Sequence, residues 1–83
     1  MKMEIRFHPH SVRRMQERNV TVSEVELIIE KPDGRILQTK DKAILYKKLK
    51  GRKDNLVAAV IVEAIHAHLT EVVTVLINFE VKK

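Results

Sequence analysis

Two segments in the second half of the chain are apolar at nearly every position. They span residues 56–62 and 72–77 and are rich in valine, isoleucine and alanine. β-Branched side chains favour strands. A sheet with one face in water alternates apolar and polar residues, so both faces of these two strands are predicted to be covered. A chain of 83 residues has little left to cover a second face, which predicts a homodimer or a partner protein.

The remaining segments predict a single α+β domain over residues 1–83, with the element order β-α-α-β-β-β-β. Successive strands with short connections favour an antiparallel sheet, with the two N-terminal helices packed on one face. The strands are predicted over residues 3–7, 35–39, 43–50, 56–63 and 71–79. A helix over residues 56–69, capped by Asp54 or Asn55, is the alternative for the fourth strand, and the density of β-branched residues argues against it.

Local signals mark the ends of the two predicted helices. Pro9 suits the first turn of the first helix, where a missing N–H costs nothing. Asn19 suits the left-handed residue that ends this helix. Thr21 and Glu24 form a capping box at the start of the second helix, and the Pro-Asp-Gly sequence at residues 32–34 ends it.

The first helix carries a stripe of histidine and arginine. His10, Arg14 and Arg18 fall at positions i, i+4 and i+8, on one side of the helix. Val12 and Met15 point roughly away from this stripe, so the helix is predicted to bury them and expose the His/Arg edge. A titratable imidazole beside two permanent cations suits contact with phosphate and chemistry on it.

Metal-free RNA cleavage needs residue types that the chain supplies. A histidine serves as base or acid near neutral pH, and arginines stabilise the phosphate oxygens. A tyrosine donates a proton or stacks on a base. The predicted catalytic residues are therefore His10, Arg14, Arg18 and Tyr46. A structural role is the alternative. In it Glu17 pairs with Arg13 or Arg14 on the helix surface, and His10 satisfies a backbone carbonyl near the helix start. Arg14 and Arg18 then pin the helix to strand carbonyls or to Glu24 and Glu26.

A run of basic residues follows in the second half. The formal net charge of +5 favours an anionic partner, and residues 40–53 carry much of the excess. This run predicts a surface that tracks phosphates, or a solvated hairpin whose lysines protect a sheet edge. The candidate nucleic-acid-binding residues are Lys40, Lys42, Lys47, Lys48, Lys50, Arg52 and Lys53.

Several absences narrow the functional classes. The chain has no cysteine, which excludes disulfides and thiolate metal sites and fits a reducing compartment. No apolar segment has the length of a membrane span or a signal peptide, so a cytoplasmic protein without membrane contact is expected. The His-x-His pairs at residues 8–10 and 66–68 lack supporting carboxylates, and no metal or cofactor is expected. Few glutamines and asparagines beside many charges hint at a thermophile.

The segment H-S-V-R-R-M-Q-E-R-N-V at residues 10–20 resembles the pattern H-A-x-x-R-M-x-E-R-G-I. That pattern opens a family of small prokaryotic proteins catalogued as domain of unknown function family 4258. Ser11, Asn19 and Val20 depart mildly from it. The family is similar in layout to RelE- and MqsR-like toxins, and its members are often encoded beside zinc-finger antitoxins. The resemblance implies a RelE-like fold, a ribonuclease toxin and an antitoxin partner, although this fold also hosts non-catalytic proteins.

Three functional hypotheses follow from the sequence. The first is a RelE-like toxin that cleaves RNA as a metal-independent endoribonuclease without a cofactor. The second is a non-catalytic protein-interaction module of the same fold. The third is a homodimeric nucleic-acid-binding protein that uses the basic hairpin of residues 40–53.

Overall fold

The elements follow the predicted β-α-α-β-β-β-β order in a computed structural model that describes residues 4–53, 55–64 and 67–81. The protein is therefore α+β, as predicted. The helix alternative for residues 56–69 is wrong, because a strand occupies most of that segment. The elements are β1 (Glu4–Phe7), α1 (Pro9–Arg18), α2 (Val22–Glu30), β2 (Gly34–Leu37), β3 (Lys42–Lys47), β4 (Leu56–Ala64) and β5 (Leu69–Phe79).

The sheet is mixed, which corrects the predicted antiparallel sheet. Its strand order is β1-β5-β4-β3-β2. Strands β2 to β5 form the expected antiparallel meander, but β1 pairs with β5 in parallel, with Phe7 opposite Val72. Short connections impose an antiparallel direction only on consecutive strands. All other elements separate β1 from β5 in the sequence, so no hairpin fixes the direction of β1.

The main core lies between the two helices and one face of the sheet. Val25 and Ile28 of α2 are fully buried and belong to the same apolar cluster as Met15 of α1. Val57 and Ile61 of β4, the middle strand, complete its centre. Each fully buried aliphatic side chain of this kind contributes about 1.5–3 kcal/mol to stability, so this cluster is the main source of the fold's stability.

The buried face of α1 differs from the prediction. Met15 is buried as expected, but Val12 is 41% exposed, and Ser11 is fully buried in its place. Ser11 is tolerated there because its hydroxyl donates to the backbone carbonyl of His8 at 2.6 Å. The helix therefore turns its 11–15 edge toward the sheet, and Val12 faces outward.

The predicted helix ends are confirmed. Asn19 has a φ of 55°, in the left-handed region, at the end of α1. At the start of α2 the Glu24 carboxylate accepts from the Thr21 N–H at 2.8 Å, and the Thr21 hydroxyl accepts from the Glu24 N–H at 3.1 Å. At the start of α1, His8 is the capping residue, because its Nδ1 accepts from the His10 N–H at 3.2 Å. This cap was not predicted. No helix in the described part of the chain is long and apolar enough to cross a membrane.

The opposite face of the sheet carries a second apolar cluster, and we call this face the open face. Ile44, Ala58 and Val60 are buried at its centre by their neighbours. Partly buried side chains surround them: Ile36, Tyr46, Val73, Leu76 and Phe79. The predicted two-sided apolar character of the central strands is thus confirmed. Both helices lie on the other side, so the described residues place no helix over the open face.

Gly34 and Tyr46 form a cross-strand pair on β2 and β3, and the tyrosine ring covers the glycine. A methyl group built on Gly34 would lie 2.0 Å from the Tyr46 hydroxyl oxygen. We expect Gly34→Ala to displace the Tyr46 ring and to disturb its contact with Phe79, whose ring centre lies 5.8 Å from that of Tyr46. Overpacking of this kind costs about 1–3 kcal/mol, measurable by urea denaturation.

A double-mutant cycle distinguishes this collision from a change in backbone flexibility. Tyr46→Ala removes the ring, so Gly34→Ala made in that background is expected to cost much less than in the wild type. Equal costs in the two backgrounds would show that Tyr46 does not constrain residue 34.

Candidate nucleic-acid interface

Arg18 attaches α1 to the edge of the sheet. The edge of β5 is paired with β1 only as far as Val72. Beyond that point the Arg18 Nη1 donates to the carbonyl oxygen of Val75 at 3.3 Å. A backbone carbonyl at an unpaired edge needs a partner, and a half-buried guanidinium supplies it. The structural alternative for Arg18, contact with a strand carbonyl, is therefore the arrangement found.

The other two members of the stripe lie along the same helix. Arg14 forms an ion pair with Glu17 at 3.3 Å, and both side chains are about half exposed. Exposed pairs of this type contribute little to stability and open readily. His10 is exposed near the start of α1. His10 and Arg14 therefore remain accessible to an anionic ligand, whereas Arg18 is engaged with the sheet.

Tyr46 is not part of this arrangement. Its side chain belongs to the cluster on the open face, whereas α1 packs on the opposite face of the sheet. The sheet therefore separates Tyr46 from His10, Arg14 and Arg18. The four predicted catalytic residues do not form one site within a single chain, because position 46 has the strand parity of the open face.

The predicted nucleic-acid-binding residues also divide into two groups. Lys40 and Lys42 lie near the turn that connects β2 and β3, and Lys47 lies at the other end of β3. A six-residue strand is about 20 Å long. The two groups are therefore separated by the length of β3, and the predicted continuous basic hairpin is divided between the two ends of the sheet.

Arg52 attaches the second group to the helices. Its Nη1 donates to the carbonyl oxygen of Asn19 at 2.8 Å, and its Nη2 donates to that of Arg18 at 3.1 Å. The same guanidinium lies 3.5 Å from the carboxylate of Glu24, in the capping box of α2. Carbonyls at a helix C-terminus carry partial negative charge, so a cation at this point stabilises α1 and fixes residues 48–53 against the helix junction.

Asp33 holds the start of this basic segment. Its carboxylate accepts from the backbone N–H of Lys48 at 2.8 Å, and the Lys47 Nζ lies 3.5 Å away. The hydrogen bond from Lys48 and the charge of Lys47 hold the pKa of Asp33 below its usual range. Lys47 also donates to the carbonyl oxygen of Lys31 at 2.8 Å. Lys47 and Arg52 therefore have structural roles, because their side chains donate to backbone carbonyls.

The result is a basic segment that Arg52 fixes against the junction of the helices. We give the name basic ridge to the lysines of this segment, Lys48, Lys50 and Lys53, together with Arg14 on α1, the helix whose C-terminus the segment contacts. Lys48 and Lys50 line a hollow beside α2, and Lys50 and Lys53 are exposed. Flexible lysine stems on a fixed backbone suit contact with a chain of phosphates.

The structure gives no support to a metal site at the described histidines. Three or more potential ligand side chains do not cluster anywhere in the described ranges. His68 is exposed just before β5, and His66, the other histidine of that pair, lies outside the described residues.

Two acidic residues that organise the interface were missed by sequence reasoning. Asp33 was interpreted only as part of the turn that ends α2. Glu24 was interpreted as a capping residue and as an alternative partner of Arg14 or Arg18, whereas its cation is Arg52. An aspartate directly before a glycine often bonds to nearby backbone N–H groups, which is a usable signal. The partner of each residue, Lys48 or Arg52, comes from a distant part of the chain, so the sequence carries no local sign of the pairing.

Comparison of the chain with protein-family models, with curated proteins and with solved structures gave no match. The remaining evidence about function is the geometry of this chain and the resemblance of residues 10–20 to the family pattern described above.

Arg52→Gln tests the attachment of the basic segment. The variant keeps a polar side chain but loses the charge and the forked donor geometry. Loss of charge-assisted hydrogen bonds to the two helix carbonyls is expected to lower the free energy of unfolding by about 2 kcal/mol, measured by urea denaturation. Lys53→Gln is the matched control one position away and is expected to change stability by less than about 0.5 kcal/mol. Equal effects would contradict the role given to Arg52.

Asp33→Asn tests the acidic anchor through pH. A carboxyl whose pKa is lowered in the folded state contributes stability above its usual pKa, and this contribution is lost as the pH falls through the folded-state pKa. We expect a lower melting temperature than wild type at pH 7, and a difference that narrows as the pH falls below about 4. A constant difference between pH 7 and pH 2 would show that the charge of Asp33 is not what stabilises the segment.

Proposed function

We propose that the protein binds RNA through the basic ridge, with Arg14, Lys50 and Lys53 contacting phosphates. The contact between Arg52 and the end of α1 carries this proposal, because it holds the basic segment of residues 48–53 against the helix that carries Arg14. The formal net charge of +5 favours association with a polyanion.

The cations divide into those that shape the ridge and those that contact the ligand. Arg18, Lys47 and Arg52 are hydrogen bonded to backbone carbonyls, so they fix the surface and contribute positive potential. Lys50 and Lys53 are exposed, so their ammonium groups are accessible to a ligand. Phosphate contacts of this kind give affinity without reading bases, so binding is expected to depend on salt more than on sequence.

Ribonuclease activity, which the resemblance implies, stays a prediction, and fewer of the predicted catalytic residues lie close enough to act together. His10 and Arg14 share the exposed side of α1, but Tyr46 lies on the other side of the sheet and cannot act with them in the same chain. A toxin role and an antitoxin partner stay predictions with it. RNA binding requires neither a catalytic tyrosine nor an antitoxin partner. It is therefore the function that the geometry supports best.

Paired lysine substitutions test the ridge. Lys50→Gln with Lys53→Gln removes two proposed phosphate contacts. With a fluorescein-labelled single-stranded RNA, fluorescence anisotropy is expected to show Kd raised about 10-fold and the slope of log K against log salt reduced by about 1.4. The matched control is Lys31→Gln with Lys40→Gln, which removes the same charge away from the ridge. It is expected to change Kd by less than about threefold, through long-range electrostatics alone.

Equal losses in the two double variants would overturn the ridge as the binding surface, and wild-type protein that does not bind RNA at low salt would overturn the function. The same samples report cleavage on a denaturing gel in the presence of EDTA. RNA left intact from pH 5 to pH 9 would remove the ribonuclease hypothesis while leaving the binding proposal in place.

A further inference from the structure

The open face is apolar over its centre, and the apolar side chains around that centre are only partly buried. Val73, Leu76 and Phe79 of β5 lie beside the buried Ile44 and Val60 and are only partly buried themselves. Contiguous apolar surface of this kind usually marks an interface. The described residues place both helices on the opposite face, so the cover must come from outside the described chain.

The charges at one end of this face cancel. Glu4 and Arg6 alternate with Ile5 and Phe7, which pack in the core on the helix side, so Glu4 and Arg6 project toward the open face. In the sheet register Arg6 is opposite Glu71, and Lys42 lies two strands away in the same row. The row holds two cations and one carboxylate. The Glu4 carboxylate lies in the next row on the same face, 3.9 Å from the Arg6 guanidinium, so the four charges cancel on a chain whose net charge is +5.

We infer that a second copy of this chain covers the open face. The two copies are related by a two-fold axis that runs parallel to β4 and lies between the two sheets. The middle strand of the sheet is β4, so rotation about it places β3 of one copy over β5 of the other. Lys42 then faces the Glu71 of the second copy, and the contact is repeated on the other side of the axis. Tyr46 likewise faces Leu76, because these residues share a row.

Charge and area both favour a second copy as the occupant. A nucleic acid would need a basic surface, and this face is neutral at its edge and apolar at its centre. The five strands span about 20 Å and β4 is about 30 Å long, so the flat area of the sheet is roughly 600 Å². The side chains that project from it increase the surface available for contact. This approaches the roughly 800 Å² per partner of a standard protein interface.

The inferred dimer is a four-layer structure with the two sheets inside and the helices outside. Both basic ridges then remain exposed, because each lies over the helix junction on the outer side. The inference goes beyond RNA binding and does not depend on it, but it gives the assembly two phosphate-binding surfaces.

Sedimentation equilibrium from about 1 μM to about 1 mM tests the association over the range of ordinary transient affinities. The wild type is expected to reach twice the mass of the chain. Val73→Lys places a charge at the apolar centre and is expected to raise the dimer Kd at least about 10-fold. Leu27→Lys is the matched control, because Leu27 lies on α2 and is 41% exposed; it is expected to self-associate like the wild type. Circular dichroism confirms that each variant is folded.

A mixing experiment tests the two-fold axis. Lys42→Glu creates like charges at both Lys42–Glu71 contacts of its own dimer, and Glu71→Lys does the same with opposite sign. Each variant alone is expected to dimerise at least about 10-fold more weakly, and an equimolar mixture is expected to recover most of the loss. A wild-type chain of single mass at the highest concentration would overturn the dimer. A mixture no tighter than its components, or a Val73→Lys variant that associates normally, would overturn this interface.

Discussion

Burial of β4 on both of its faces is the constraint on which the rest of the structure depends. Val57 and Ile61 face the helices, whereas Ala58 and Val60 face the other way, and all four are buried. The two helices satisfy only the first face. On the second face Ala58 and Val60 are buried by neighbouring side chains of the same chain, and the apolar residues around them are only partly buried. Burial of this remaining apolar surface would contribute about 25 cal/mol per Å², and this is the free energy that the inferred dimer would gain.

The basic residues of the chain fall into two groups: one stabilises the fold, and the other is proposed to bind RNA. Arg18, Lys47 and Arg52 bind backbone carbonyls at a sheet edge, a helix end and a turn. The contacts of Lys47 and Arg52 hold the segment of residues 48–53 against the junction of the helices, and Arg18 attaches α1 to β5. Lys50 and Lys53 are exposed on this segment, so the lysines proposed to bind RNA are different from the cations that shape their surface.

Local features of the sequence predicted local structure well, and long-range placement poorly. The capping box at Thr21, the left-handed Asn19 and the β-branched strands depend on nearby residues, and each was found as predicted. The parallel direction of β1 depends on its pairing with a strand more than 60 residues away, and no local pattern records it. Tyr46 was assigned to the catalytic stripe by residue type, but strand parity places it on the opposite side of the sheet. Whether the stripe has catalytic activity stays a prediction.

The most direct test of the account is the solvent exposure of methyl groups on the two faces of the sheet. NMR with a soluble gadolinium reagent reports this residue by residue. The account predicts that the methyl groups of Val73 and Leu76, which are only partly buried in one chain, are protected like those of Ile28 and Ile61 at high protein concentration, and that only the two open-face residues become more exposed on dilution. Open-face methyl groups that are equally exposed at every concentration would contradict the claim that both faces of β4 are covered.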